Sequence, residues 1–442
     1  MIDVRQLIAD AEKELRSHLS QNRIPFDEAV FINPFSGGKD STASRLIMGA
    51  IVGDRLRSVM SDTDNENSAT IKFARNVHLQ DGLPPVEIYK QTYDEAVFEE
   101  RRKSLFKRWS KHQRIQAGAF KGVKMPMLNN PDSQFAELWR DHTNKLWAKH
   151  DFATPLEACL HHLNRTDNEF LNGILIHGSM PTRGARWCTD ELKLDLIWNK
   201  VNEPLLNDGE YVISCSGVRA QESEKRAGYK VFEKDLRDVT ESTYNFLPIH
   251  KLTHAEVFAV HKYFGVNPNP LYKECMARVG CMPCIMCNKE ELAEVAARYP
   301  AEIARVHEWE RKLRWVSRWS NWMVIPQINQ KLIISNNVDM VIQRNIMRNI
   351  MRKKLAAKPL PTKYAKSGAN AIFGQKVLGT SIEPVSVEHI PFLGVRGSRN
   401  NFNQNIHDAV EWAKTGRAGL IYDNAFAALG TDTCSSRYGL CE

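Results

Sequence analysis

The chain of 442 residues carries 60 Lys and Arg against 52 Asp and Glu, a formal charge of +8 at pH 7, with 43% apolar and 9% aromatic residues. That is an ordinary soluble composition, long enough for about two or three domains that each bury a core. It excludes a largely disordered chain, a collagen-like fibre and a disulfide-stapled miniprotein, and no apolar run approaches the roughly 20 residues that a membrane-spanning helix needs.

The first residues, 1–16, mix acids and bases without an apolar stretch, so they do not read as a secretory signal. A cytoplasmic location without membrane association is expected. In that compartment the nine cysteines would be ligands, nucleophiles or buried thiols.

Residues 3–20 have the pattern of an amphipathic helix, and the run Ala29–Phe35 that of a buried strand. Ser36-Gly37-Gly38-Lys39-Asp40-Ser41 follows at once, and Thr42–Val52 has helical spacing. Arg57–Ser61 reads as a second strand, Ser68–Leu79 as a helix and Val86–Tyr89 as a third strand. This alternation predicts an α/β fold, a doubly wound parallel sheet of Rossmann-like type. Residues 92–165 look like a charged helical insertion. Gly173–His177 and Tyr211–Val218 are expected as later strands around a helix over 189–202, and 254–265 as a helix. A cysteine-rich loop occupies 275–287, helices are expected over 289–357, and 358–380 reads as a linker. The expected organisation is an N-terminal helix (1–28), a nucleotide-binding domain (29–290) and a basic, Trp/Arg-rich, mainly helical C-terminal region (291–442).

Between a strand and a helix, the glycine turn 36–41 is suited to cradle an anion. Its glycines let backbone N–H groups turn inward, and the helix N-terminus adds partial positive charge. Lys39 can neutralise phosphate, and Ser36 and Ser41 can donate hydrogen bonds. The spacing is not that of a Walker A loop.

This Ser-Gly-Gly-x-Asp-Ser turn resembles the signature of the PP-loop ATP pyrophosphatases, enzymes that cleave ATP between its α- and β-phosphates. Further segments resemble the phosphoadenosine-phosphosulfate reductase branch of that superfamily. They are Ser61-Asp62-Thr63-Asp64, Arg186-Trp187-Cys188-Thr189 with Lys193, and Gly217-Val218-Arg219-Ala220-Gln221-Glu222-Ser223 with Arg226. Pro248-Ile249, Asn269-Pro270-Leu271-Tyr272 and Arg278-Val279-Gly280-Cys281-Met282-Pro283-Cys284 complete the set. The resemblance implies an adenine nucleotide alpha hydrolase-like fold. It puts Asp62 and Thr63 near the adenosine, and Gly217, Arg219 and Glu222 among the nucleotide contacts. Arg219, Arg226, Arg186 and Lys193 would converge as cations on the phosphates, because adenylyl transfer needs charge stabilisation more than a base. Asp40 or Asp62 would help to hold Mg²⁺.

Cys275, Cys281, Cys284 and Cys287 are dense enough to suggest metal ligation, with iron–sulfur, zinc and unligated thiols as the possible readings. By the resemblance, a [4Fe–4S] cluster would take Cys188, Cys281 and Cys284, with Cys275 as fourth ligand and Cys287 as its alternative. Cys159 and Cys215 sit in apolar sequence and read as core. Cys434 and Cys441 lie near the C-terminus. Sulfonucleotide reductases carry a tail cysteine in a Glu-Cys-Gly-(Ile/Leu)-His setting, from which Gly439-Leu440-Cys441-Glu442 departs.

Residues 101–124 and 344–376 each hold nine Lys/Arg and no acid, a charge pattern suited to a polyanion or to a solvated helix face. Trp309, Trp315, Trp319 and Trp322 alternate with arginines, as in a base-stacking surface or the buried stripe of a helix.

Taken together, the chain looks like the ATP pyrophosphatases of DNA phosphorothioation (DndC and SspD type), a DNA modification associated with phage defence. Such an enzyme would adenylate a backbone phosphate oxygen and release pyrophosphate, after which sulfur from a cysteine desulfurase would displace AMP. The implied partners are DNA, that desulfurase and other components of a DNA sulfur-modification complex. The alternatives are a sulfonucleotide reductase acting on adenylyl sulfate or its phosphorylated form, a tRNA thiolation enzyme and a non-enzymatic regulator.

Overall fold

The computed structural model describes residues 2–116, 155–181, 186–274, 276–316 and 406–415. These divide into two compact units, one drawn from 1–91 and 187–287, the other from 92–186 and 288–420.

The first unit is built on one six-stranded sheet: β1 (Ala29–Pro34), β2 (Leu56–Asp62), β3 (Glu87–Lys90), β4 (Tyr211–Cys215), β5 (Phe232–Lys234) and β6 (Thr243–Phe246). The spatial order is β3-β2-β1-β4-β6-β5, with every pairing parallel except β5 against β6. Successive residues of a strand face opposite sides of the sheet, and here both sides are covered. Phe31 packs with Leu15 and Leu19 of α1 (Val4–Gln21) and Met48 of α2 (Lys39–Val52). Its neighbour Ile32 packs with Val59, Val212 and Val201, the last from a helical run over 187–207. The expected doubly wound α/β sheet is therefore present.

Strand order reverses at β1: β2 and β3 are laid down on one side of it and β4, β5 and β6 on the other. In such sheets ligands bind at this switch point, outside the carboxyl ends of the strands. Here those ends are Pro34, which leads into the glycine turn, and Cys215, which leads into Gly217 and Arg219.

Gly173–His177, expected as a strand, lies in a helix over Glu169–His177. The Asn168 side chain caps it by accepting the Leu171 N–H, and Gly178 ends it at φ 61°. Phe170, Leu171, Ile174 and Leu175 are all buried, so the helix has no polar face to reveal a 3.6-residue period. The second unit, to which this helix belongs, also contains helices Glu95–Gln116, Pro155–His162, Lys289–Arg298, Pro300–Val316 and Ile406–Ala413. Trp309 is buried there against the ring of Phe170, with centroids 5.3 Å apart, and so serves the core. Trp319, Trp322, the 344–376 stretch, the 358–380 linker, Cys434 and Cys441 lie outside the described residues.

Candidate active site

The turn after β1 is anchored by the Phe35 N–H, which donates to the Val59 carbonyl at 2.8 Å. Gly37 has φ 70°, and a Cβ there would sit 2.8 Å from Cγ2 of Thr70, so conformation and space both require glycine. The Ser41 hydroxyl accepts the Ser36 N–H at 3.2 Å and donates to the Gly38 carbonyl at 3.0 Å, closing the turn on itself. The N-cap of α2, Gly38, makes no side-chain cap bond. The first turn of the helix therefore faces the crevice without a capping side chain, the arrangement that favours an anion. One donor there is engaged, since the Lys39 N–H donates to the Tyr272 hydroxyl at 3.0 Å.

Asp40 collects two cations: Lys39 Nζ lies 2.9 Å from Oδ2, and Arg219 Nε lies 2.5 Å from Oδ1. Burial pushes the Asp40 carboxyl up, but Lys39 and Arg219 outweigh it and hold the group below the usual carboxylate range. Arg219 comes from the turn after β4, where Glu222 accepts its backbone N–H at 3.0 Å. That turn can approach α2 only because of Gly217, where a Cβ would stand 2.6 Å from the Asp40 carbonyl oxygen. On the other flank, His261 Nε2 donates to the Lys39 carbonyl at 2.8 Å.

A second cluster begins where β2 ends. Asp62 is held above the usual carboxylate range, chiefly by burial. Glu66, buried, accepts the N–H and hydroxyl of Thr63 at 2.8 and 2.7 Å. Its other oxygen lies 3.1 Å from Lys193 Nζ and 3.2 Å from Cys281 Sγ. Lys193 Nζ is itself 3.3 Å from Cys281 Sγ, so a half-buried lysine, a buried carboxylate and a half-buried thiol form one knot. Burial pushes the Cys188 thiol up to about 11, with Lys193 opposing and Cys284 adding to the shift. Cys281 is raised by burial and by Glu66, with a further push from Cys284. The three thiols and Lys193 thus share one electrostatic neighbourhood.

The two clusters are joined through Thr70, on α3 (Ser68–Asn76). Its hydroxyl donates to the Val279 carbonyl and accepts from Asn269 Nδ2 at 3.0 Å, and the same amide donates to the Gly37 carbonyl at 3.1 Å. The glycine turn and the cysteine-bearing segment are therefore held side by side.

The family model for the phosphoadenosine phosphosulfate reductase domain matches residues 31–287, a span that contains both clusters. The chain belongs to that family. An uncharacterized 37.8 kDa protein in the gpa 5′ region of Escherichia phage 186 is 35% identical over 316 residues, 71% of this chain and 84% of that protein. An uncharacterized protein of Methanocaldococcus jannaschii is 27% identical over 135 residues, 30% of this chain and 26% of that one. Among solved structures, the phosphate complex of phosphoadenylyl-sulfate (PAPS) reductase from Candida auris matches at 14% identity and TM-score 0.31, covering 62% of this chain and 89% of that one.

Within this family domain the structure brings Ser36, Gly37, Gly38, Lys39, Asp40, Ser41, Gly217 and Arg219 together at the switch point. Asp62, Thr63, Lys193, Cys188, Cys281 and Cys284 gather beside them. Of the four cations expected to converge, three are paired with partners of their own. Arg219 is committed to Asp40 and Lys193 to the thiol knot. Arg226, half-exposed, pairs with Glu222. Arg186 is exposed. Asp40, offered as a Mg²⁺ ligand, has both oxygens occupied by cations, which leaves Asp62 as the better candidate.

Cys275 lies outside the described residues. Among the described residues no three His, Cys, Asp or Glu side chains stand together as a ready metal-binding group. The donors are of a thiophilic kind: Cys188 and Cys281 come from two segments toward Lys193, which opposes the upward push of burial on both thiols, and Cys284 lies close enough to act on each. Cys287 is buried, its N–H donating to the Cys284 carbonyl at 2.9 Å. Cys159 and Cys215 are wholly buried.

In the first basic stretch, Arg102 pairs with Glu95 and Glu99, Lys103 pairs with Glu100, and Arg101 donates to the Val316 carbonyl. Its opening residues therefore spend their charge within their own unit.

Sequence reasoning missed Glu66, His261 and the linking role of Thr70. Glu66 stands three residues after Thr63, whose N–H and hydroxyl both donate to its carboxylate.

Proposed function

We propose that this chain is an ATP pyrophosphatase of PP-loop type that activates a phosphate oxygen of the DNA backbone for sulfur insertion. The observation that supports this reading best is the adjacency of the glycine turn to the thiol knot, tied through Asn269 and Thr70. A nucleotide whose phosphates rest on the turn would have its α-phosphorus beside the thiol-bearing loop.

In this reading Gly37, Gly38 and the first turn of α2 hold the phosphates, and Lys39 neutralises charge that develops on departing pyrophosphate. Arg219 and Asp40 fix each other and so fix the helix start. Asp62 and Thr63 lie toward the nucleoside, with Asp62 holding Mg²⁺. A backbone phosphate oxygen attacks the α-phosphorus and pyrophosphate leaves; a sulfur nucleophile supplied by a cysteine desulfurase then attacks the activated phosphorus and AMP leaves. Cys188, Cys281 and Cys284 would hold a [4Fe–4S] cluster, with Cys275 as the fourth ligand. Such a cluster supplies redox and sulfur-handling chemistry at the pocket wall. DNA, the desulfurase and further components of a sulfur-modification complex would be its partners, in the cytoplasm.

A second reading is favoured by the family's own description: a sulfonucleotide reductase that uses the same pocket for adenylyl sulfate or its phosphorylated form. One assay separates the two. Pyrophosphate release from ATP that depends on DNA and a sulfur donor supports the first, whereas thioredoxin-dependent sulfite release without ATP turnover supports the second.

A further inference from the structure

Tyr272 occupies an unusual place between the two clusters. Its hydroxyl accepts the Lys39 N–H at 3.0 Å, the first backbone donor of α2, and its ring lies 5.7 Å from Lys39 Nζ. It is buried, on a short turn over Pro270–Tyr272 that Asn269 caps by accepting the Leu271 N–H at 3.1 Å. That turn carries the chain toward Cys281. An oxygen acceptor on the first N–H of a helix opening into an anion crevice sits where a phosphate oxygen would be bound.

We propose that the Tyr272 hydroxyl holds the place of a phosphate oxygen on the α2 N-terminus, and that nucleotide binding displaces it and so loosens the cysteine-bearing segment from the glycine turn at that point. This rests on the phosphate-binding reading of the turn. The segment keeps its other ties: Asn269 Nδ2 to the Gly37 carbonyl of the turn, and Val279 to Thr70 of α3. Release at Tyr272 therefore adjusts the segment without detaching it. Tyr272 is a positioning residue, and it orders events so that the thiols gain freedom only after the nucleotide is seated.

A prop and a place-holder predict opposite signs for the loss of one oxygen. Tyr272→Phe keeps the ring and its edge contact with Phe258, at 6.3 Å between centroids, and leaves the Lys39 N–H without its internal acceptor. The full-length variant should then bind ATP and inorganic pyrophosphate about fivefold tighter than wild type by calorimetry, the worth of one ordinary hydrogen bond. Asn269→Ala, which cuts a tie that the ligand does not replace, should weaken both. In wild type, ATP should speed amide hydrogen exchange in the peptide over 269–274, and that measurement decides the matter even if Tyr272→Phe does not fold. Equal or weaker ATP binding by a folded Tyr272→Phe, or unchanged or slower exchange over 269–274, overturns the place-holder role. If wild type binds neither ATP nor pyrophosphate, the phosphate-binding reading itself fails.

Discussion

Gly217→Ala isolates the close approach that assembles the phosphate crevice. The added methyl would lie 2.6 Å from the Asp40 carbonyl oxygen and 2.7 Å from both the Asp40 carbonyl carbon and the Ser41 nitrogen. All three are backbone atoms, so no side chain can swing aside. Ordinary contact begins at 3.4 Å, so either the turn after β4 or the first turn of α2 must retreat by about 0.8 Å. Overpacking of this kind costs about 1–3 kcal/mol, and the loss of glycine's freedom in the unfolded chain returns at most about 1 kcal/mol of that. With a urea dependence of about 2 kcal/mol per molar, the unfolding midpoint should fall by up to about 1.5 M. The same retreat draws Arg219 from Asp40 and misplaces the helix N-terminus, so ATP affinity should fall by about tenfold or more. Gly280→Ala is the control, because a Cβ there meets nothing within 4 Å, and it should melt within about 0.5 kcal/mol of wild type. If Gly217→Ala unfolds like this control and binds ATP like wild type, the close approach does not build the site.

Asp40→Asn leaves Arg219, nearly buried, without its carboxylate and should cost about 2–4 kcal/mol at pH 7. Because the Asp40 carboxyl is held below its ordinary range, the stability it contributes is present above its unfolded pKa of about 4 and is lost as pH falls through the lower folded value. The gap between wild type and Asp40→Asn should therefore narrow in melts as the pH is lowered below about 4 and close once it passes the folded value. Lys39→Ala takes one of its two cations from Asp40, at a side chain only 13% exposed, so it should cost about 1–2 kcal/mol of stability and slow pyrophosphate release by about 100-fold or more. Glu66→Gln should destabilise by about 1–2 kcal/mol, because Lys193, its side chain 37% exposed, loses a buried carboxylate partner but keeps access to water. Cys281→Ser, purified anaerobically, should lose iron and acid-labile sulfide while binding ATP normally.

Sequence reveals most where chemistry and backbone geometry are both local. The glycine turn was legible because an apolar strand run, two glycines and a helical period adjoin within 24 residues, Ala29–Val52. The sheet's parallel character followed from the β-α alternation around it. The Glu169–His177 helix was misread because burial on every side erases the polar stripe that distinguishes a helix from a buried strand. The Glu66 knot was illegible in its partners: Lys193 lies 127 positions away and Cys281 lies 215, and only the folded sheet brings them together. The arginines were recognised as a set, and Arg226 pairs locally with Glu222, but the commitment of Arg219 to Asp40, 179 positions away, depends on tertiary placement that spacing does not encode.

The central claim is that a nucleotide's phosphates rest on the Ser36–Ser41 turn with the α-phosphorus facing the thiol-bearing loop. A crystal structure with a non-hydrolysable ATP analogue tests it most directly. The account predicts phosphate oxygens on the N–H groups of Gly37, Gly38 and the start of α2, with Lys193 and Cys281 lining the wall nearest the α-phosphate. An analogue bound at the opposite, amino-terminal edge of the sheet, or one whose α-phosphate turns away from Lys193 and Cys281, would contradict it.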